Sequence, residues 1–287
     1  MTRRERWRVA LELGRVSNLP TVWSNVLAGL VLSGHVDAWG MTLQLMLSLS
    51  LIYVAGMYLN DAFDHEIDRV ERPQRPIPSG RVSARVVFVC GFGMLLAGLL
   101  VLMPLGWPAF AAGAGLAAVV IYYNYDHKAN PWSPLVMGLC RMLVYITSAL
   151  AATQGQVPEA VWHGALVLLA YLMGLTYVAK HEQSARMARI WPLLGLAAPM
   201  VAVMALGAWQ WLTLACLLAF AAWTVHCLYM VLSSRHRNVR QAVGGFIAGI
   251  SLADALAMSM FGLSPALLTA TSAFLLTLLL QRKIAGT

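Results

Sequence analysis

Long apolar runs separated by short polar connections dominate this chain, and their lengths repeat. An α-helix rises 1.5 Å per residue and a bilayer's hydrocarbon core is about 30 Å thick, so an apolar run of about 17 to 25 residues spans it. Ten segments meet that length, at 17–35, 41–63, 84–104, 107–125, 132–153, 160–180, 191–207, 210–231, 241–260 and 263–281. The pattern predicts an all-α fold, a polytopic membrane helical bundle in which residues 1–287 form one transmembrane domain. Ahead of the first span, residues 1–16 mix arginines with apolar positions and read as a basic amphipathic helix lying in the interface. That stretch lacks the apolar core and small-residue cleavage site of a secretory signal.

Composition agrees with the pattern. Hydrophobic residues make up 60% of the chain and charged residues 11%, with a mean hydropathy of +0.69. Too few polar groups remain to cover a water-exposed surface, which excludes a soluble globular enzyme. The formal net charge of +8 is explained by position. Apart from Arg141, the Lys and Arg residues fall at the termini and in alternate connections, while the intervening connections carry none. By the positive-inside rule the basic side is cytoplasmic, with both termini there, and the expected location is a bacterial inner (plasma) membrane. The basic charge therefore marks topology and contact with membrane lipid, and no nucleic-acid partner is expected. All four cysteines lie in predicted spans without CxxC spacing, so they read as small apolar fillers.

The scarce acidic residues are not spread evenly. Of twelve, five fall between Asp61 and Glu71, where the second span closes in GMYLNDAFDHEIDRVERPQRPIPSGR. On a helix, Asn60, Asp61, Asp64 and Asp68 share an arc of about 100°, while Glu66 points away. Three carboxylates on one face repel one another and are costly near a membrane unless a cation meets them. A hard divalent ion such as Mg²⁺, which takes carboxylate, water and phosphate oxygens, suits that face. The following loop interleaves Arg69, Arg72, Arg75, Arg81 and Arg85 with Pro73, Pro76 and Pro78. Prolines hold such a loop extended, and arginine forks grip phosphate, so a metal-binding face beside this loop suits a diphosphate.

On these residues a family resemblance becomes specific. NDAFDHEID followed by RPQRPIPSGR resembles the first aspartate-rich motif and loop of the UbiA superfamily of intramembrane prenyltransferases, and YNYDHKANP, with Tyr125 and Lys128, is similar to that family's Tyr and Lys segment after the fourth span. The resemblance implies nine or ten transmembrane helices around a central cavity open to the cytoplasm and laterally to lipid. It implies Mg²⁺-dependent transfer of a prenyl group from a prenyl diphosphate donor to an acceptor that the sequence does not identify. Asp61, Asp64 and Asp68 would be the metal and catalytic residues, with Lys128 stabilising the departing diphosphate. Asn60, Arg72, Arg75, Tyr125, Arg141, Tyr177, Lys180 and Glu182 would bind substrate.

Two departures stand out. Where the family usually carries a second aspartate-rich motif after the sixth span, this chain reads GLTYVAKHEQSARMAR, without an aspartate. Glu182 is the one carboxylate there, and a cationic Lys180 could take over part of a second metal's role against diphosphate. The family commonly has nine spans, whereas the charge pattern here supports ten. Within the bundle, Arg141 and Asp254 are expensive in hydrocarbon, so each is expected to face the interior and find a partner, with one another among the candidates. Asn25, Arg15 and Asn18 would line the same cavity. A prenyl-lipid binder that does not turn over and a membrane transporter stand as alternatives.

Overall fold

The structure, a computed structural model, describes residues 2–35, 39–128, 130–181, 191–207, 209–233, 237–284 and 286. In chain order the helices are α1 (Arg3–Leu13), α2 (Leu19–Leu32), α3 (Trp39–Phe63), α4 (His65–Glu71), α5 (Ala84–Leu102), α6 (Trp107–Asp126), α7 (Ser133–Thr153), α8 (Glu159–Lys180), α9 (Ala198–Leu206), α10 (Trp211–Leu232), α11 (Val239–Ser259) and α12 (Pro265–Gln281). Three 3₁₀ segments, Val16–Asn18, Met103–Leu105 and Trp191–Ala197, lead into α2, follow α5 and lead into α9. No strand occurs among the described residues.

Each of the ten predicted spans is helical over most of its length. Six helices (α3, α5 with its 3₁₀ extension, α7, α8, α10 and α11) are long and apolar enough to cross a membrane by length and composition, and Val16–Leu32, Trp191–Leu206 and Pro265–Gln281 are shorter apolar segments. The seventh predicted span is not a continuous α-helix. Trp191–Ala197 is 3₁₀ and turns α-helical only at Ala198, where Pro199 occupies the first turn. The 3₁₀ stretch packs closely on α8, where Gly174 and Gly195 leave room that a Cβ would fill: a side chain on Gly195 would collide with the Ala170 carbonyl.

Burial separates interior helices from lipid-facing ones. The apolar window of α11 is 83% buried, while those of α5 and α10 are 28% buried. On α5 the exposed residues Val86, Val89, Phe92, Leu96 and Leu100 form one stripe at helical spacing, the lipid-facing counterpart of a soluble helix's core stripe. Its other face packs along α3, where Ser48 donates to the Gly98 carbonyl at 2.7 Å and Gly98 admits Ile52. The centre is α2, α7 and α11. Gly29 of α2 lies against the Tyr145 backbone and Ser148 of α7, and α12 packs over α2 and α11.

Within the stretch 1–16, α1 occupies Arg3–Leu13. Its TRRE start makes a capping box in which Glu5 N donates to Thr2 Oγ1 (3.2 Å) and Thr2 N donates to Glu5 Oε2 (2.7 Å). Val9 and Leu13 are buried against Ala62 and Val87, and Tyr58 donates to the Ala10 carbonyl, so the helix lies across the end of α3 that carries the aspartates.

Candidate functional site

The aspartate face predicted from helical spacing survives a break in the helix. α3 stops at Phe63, Asp64 is a bend, and α4 begins at His65. The i to i−4 ladder nevertheless runs through, from Asp64 N to the Asn60 carbonyl (3.0 Å) and from Asp68 N to the Asp64 carbonyl (2.8 Å). Asn60, Asp61, Asp64 and Asp68 are all buried, at 7, 6, 5 and 1% exposure. Glu66 points outward, pairing with Arg69 and His65.

Basic side chains of the protein meet the buried carboxylates in this structure. Arg75 donates to Asp68 Oδ2 at 2.5 Å and to Asp61 Oδ1 at 3.3 Å. Arg15 donates one Nη2 group to Asp61 Oδ1 (3.1 Å) and to Asn60 Oδ1 (3.0 Å). His127 Nε2 lies 3.4 Å from Asp64 Oδ2, and Lys128 Nζ stands 4.0 Å from the same oxygen while donating to Glu71 at 3.1 Å. Among the described residues no group of three His, Cys, Asp or Glu side chains converges into a ready-made metal cage. One atom stands out: Asp68 Oδ1 is buried without a hydrogen-bond partner.

Arg15 reaches the site from a strained backbone. Its φ of 41° and ψ of 46° place it in the left-handed region, which costs a non-glycine residue on the order of 1 kcal/mol and is typical of positions held by function. Burial is the largest influence and opposes its charge, but the Asp61 carboxylate, which also accepts its hydrogen bond, together with Tyr53 and Tyr123 holds the guanidinium above its ordinary pKa.

α6 supplies a layer that spacing alone did not identify. Asn124, 3% exposed, donates to the Gly56 carbonyl (3.0 Å) and accepts from Asn60 Nδ2 (3.3 Å), tying α6 to α3 directly beneath the aspartates. Its signal in the sequence is a lone amide inside the aromatic run YYNYD, three and four residues ahead of His127 and Lys128. Of the other predicted binders, Tyr125 is 76% exposed and meets Phe63 edge-on at 6.3 Å. Arg72 ends α4, its N–H donating to the Asp68 carbonyl at 2.9 Å.

Below Asn124 a cavity of about 60 Å³ lies among α2, α3, α6 and α7, lined in part by Tyr53, Tyr123, Asn124, Cys140 and Arg141. Arg141, 6% exposed, donates to Asn25 Oδ1 (2.8 Å) and Thr21 Oγ1 (3.0 Å), with its guanidinium carbon 5.5 Å from the Tyr53 ring centre. It does not touch Asp254. Asn25 stands between them, donating to both Asp254 oxygens at 3.0 and 2.8 Å, while Ser24 and Tyr145 donate to the same carboxylate at 2.5 Å each.

The sixth-span segment is arranged differently from the role expected of it. Lys180 Nζ donates to the His127 and Asn130 carbonyls (3.3 and 2.9 Å) and to Ser133 Oγ (2.7 Å), clamping the connection between α6 and α7 instead of meeting an aspartate. Tyr177 packs its ring 4.3 Å from that of His181. Glu182 lies outside the described residues.

Known proteins share this architecture and parts of this sequence. A digeranylgeranylglyceryl phosphate synthase of Ignicoccus hospitalis is 33% identical over 172 residues, 58% of this chain and 56% of that protein. The enzyme of the same name from Sulfolobus acidocaldarius is 32% identical over 149 residues, 50% of each. The chain thus spans about half the length of the curated relatives it matches. Among solved structures, a UbiA homologue from Aeropyrum pernix K1 superposes with a TM-score of 0.66 at 17% identity, covering 84% of this chain and 95% of that one. A UbiA homologue from Archaeoglobus fulgidus bound to DMAPP and Mg²⁺ superposes with a TM-score of 0.55 at 14% identity, covering 96% and 99%. At such identities the structural likeness establishes the shared fold. The family model matches residues 20–190, more than half of the chain and the whole stretch from the aspartate face through Asn124 and Arg141 to Lys180, and on that match the chain belongs to the UbiA prenyltransferase family.

Proposed function

We propose that the chain transfers a prenyl group from a prenyl diphosphate to an acceptor within the membrane, with Mg²⁺ as cofactor. The observation that carries this reading is the buried face of Asp61, Asp64 and Asp68 interlocked with Arg15, Arg75, His127 and Lys128. Such a face holds the two kinds of group a metal diphosphate needs, carboxylate oxygens for the metal and cations for the phosphates. Relatives named digeranylgeranylglyceryl phosphate synthase and a structural neighbour bound to DMAPP and Mg²⁺ support it.

The residues present fit a hard divalent ion. The donors are carboxylate oxygens, and Asp68 Oδ1 is a buried acceptor with its lone pairs unspent. Asp61, Asp64 and Asp68 would hold Mg²⁺, which when bound neutralises charge developing on a leaving diphosphate. Arg75, now turned to Asp61 and Asp68, would swing its fork onto phosphate oxygens, joined by Arg72 of the same loop and by Lys128, which stands beside Asp64. Asn60 is fixed by Arg15 and Asn124, so its position does not depend on substrate. Tyr125 would offer its ring face to the developing allylic cation. Arg141 would mark where the anionic part of the acceptor enters, and Tyr177, Lys180 and Glu182 keep the substrate-binding role that the family resemblance implies, with Lys180 acting from its clamp on the connection between α6 and α7.

Residues 1–287 are read as a single transmembrane domain in a bacterial plasma membrane, both termini cytoplasmic. The test uses purified protein, labelled prenyl diphosphates of several lengths and Mg²⁺, with diphosphate release as readout. Release that Asp64→Ala abolishes supports the reading; absence of release with every donor, or indifference to Asp64→Ala, refutes it. The aspartate-free stretch at 174–189 favours a second reading, a prenyl-lipid binder without turnover, for which donor binding would persist without release.

A further inference from the structure

The α1 side of the bundle holds a groove that the aspartate site does not use. α1, Arg81 and the turn after α12 enclose a cavity of about 900 Å³ lined by Arg4, Trp7, Arg8, Leu11, Arg81 and Lys283, together with Glu5 and Glu12. Its composition follows from how α1 is seated. The helix buries Val9 and Leu13, which turns the i, i+4 pairs Arg4 with Arg8 and Trp7 with Leu11 toward the outside. Trp7 is 62% exposed and Leu11 is 39% exposed.

Both carboxylates in the groove are already engaged. Glu5 closes the capping box, and Glu12 accepts from Arg81 at 3.0 and 3.3 Å. Arg4, Arg8 and Lys283 have no carboxylate partner among the described residues. Three unmatched cations therefore surround a space bordered by an exposed indole and a leucine. A free inorganic anion would satisfy the cations alone, since the apolar pair would gain nothing from it. An amphiphile with a phosphate head satisfies both, with tryptophan at the interface where its ring is favoured.

We infer that this groove binds the phosphate of an anionic phospholipid through Arg4, Arg8 and Lys283, with the glycerol and first acyl carbons along Trp7 and Leu11. Arg81 extends from the same loop as Arg75 and also donates to the Gln74 carbonyl at 2.8 Å. The headgroup thus sits one ion pair away from the loop that meets Asp61 and Asp68. The site is independent of the proposed chemistry and stands or falls separately from it.

The test titrates the delipidated full chain in detergent with phosphatidylglycerol or phosphatidylcholine of identical acyl chains, counting bound lipid by native mass spectrometry. Phosphatidylglycerol should be retained at least tenfold more strongly. A cation near an anionic headgroup contributes on the order of a fivefold effect, so combining Arg4→Gln, Arg8→Gln and Lys283→Gln should lower that retention by tenfold or more. Arg85→Gln, another exposed cation on the same side, should leave it unchanged. All three substituted residues are exposed, and an unchanged melting temperature confirms the fold. Equal retention of the two lipids, or a triple variant that behaves as the parent, overturns the inference. Displacement of phosphatidylglycerol by equimolar inorganic phosphate also overturns it, in favour of a soluble-anion site.

Discussion

Arg75 Nη1 lies 2.5 Å from Asp68 Oδ2, and the two side chains are 14% and 1% exposed. This pair closes the aspartate face from the loop side. Removing the cation leaves Asp68 buried and uncompensated, which typically costs about 3 to 5 kcal/mol, whereas removing both charges costs far less. Arg75→Gln should therefore lower the melting temperature clearly, and Arg75→Gln with Asp68→Asn should recover most of the loss. Thermal unfolding of the two variants in one detergent checks this; equal destabilisation by both would show that the pair is not coupled.

The same pair makes a prediction about metal. Asp68 Oδ1 is buried without a partner, and Mg²⁺ would supply one while competing with Arg75 for the carboxylates. Mg²⁺ should raise the melting temperature of Arg75→Gln more than that of the parent, and Asp68→Asn should be nearly insensitive. A chelator should reverse the effect in each case. Identical Mg²⁺ shifts in all three proteins would move the ion elsewhere.

How much of this site is legible in the sequence depends on how local each relationship is. Asn60, Asp61, Asp64 and Asp68 fall on one face because helical spacing persists across the bend at Asp64, so counting residues finds them. What meets them is not local. Arg75 returns from the loop, Arg15 arrives from a left-handed residue ahead of α2, and Asn124 and His127 come from α6. Charge counting had assigned the arginine loop to a ligand, yet within the chain Arg75 first neutralises the aspartates. Lys180 is another case in which the partners are not local. Its charge suggested a substrate role, while the backbone carbonyls that hold it carry no sequence signal. The 3₁₀ stretch before α9 was hidden for a similar reason, because apolar composition fixes span length but not the hydrogen-bond register.

Arg15 tests whether geometry or charge matters at Asp61. Its Nη2 group serves both Asn60 and Asp61, with N–H directions fixed by the planar guanidinium that lysine's freely rotating ammonium does not reproduce. Arg15→Lys should keep the fold but lower prenyl diphosphate turnover by about tenfold, as expected for loss of about 1.4 kcal/mol. Arg15→Ala should lower it further. If lysine restores full turnover, Arg15 contributes charge alone.

Asn124 should separate a structural from a functional role. It is buried, holds the Gly56 carbonyl and orients Asn60, and an unsatisfied buried polar group costs about 1 to 3 kcal/mol. Asn124→Leu should destabilise by that amount and weaken donor binding through the loss of Asn60's support. Asn60→Ala alone should weaken donor binding to a similar degree with a smaller effect on melting. Donor affinity measured beside melting temperature for both variants decides it, since an Asn124→Leu protein that melts lower but binds donor normally would be a packing defect only.

Asp254 and Arg141 never touch, yet the bundle joins them through Asn25. Asp254 accepts from Ser24, Asn25 and Tyr145, so Asp254→Ala strands three donors and leaves Arg141 as the remaining charge in that part of the interior. The expected cost is about 3 to 5 kcal/mol. Arg141→Leu should destabilise less, because the Asp254 carboxylate it leaves behind still accepts from Ser24, Asn25 and Tyr145. If Asn25 transmits the pairing, the double variant should be more stable than the sum of the single effects predicts, by a coupling of about 0.5 to 3 kcal/mol. Repeating the cycle with Asn25→Ala should reduce that coupling toward zero. A coupling that persists without Asn25 would mean the two charges interact across the interior directly, and the bridging role of the amide would be lost.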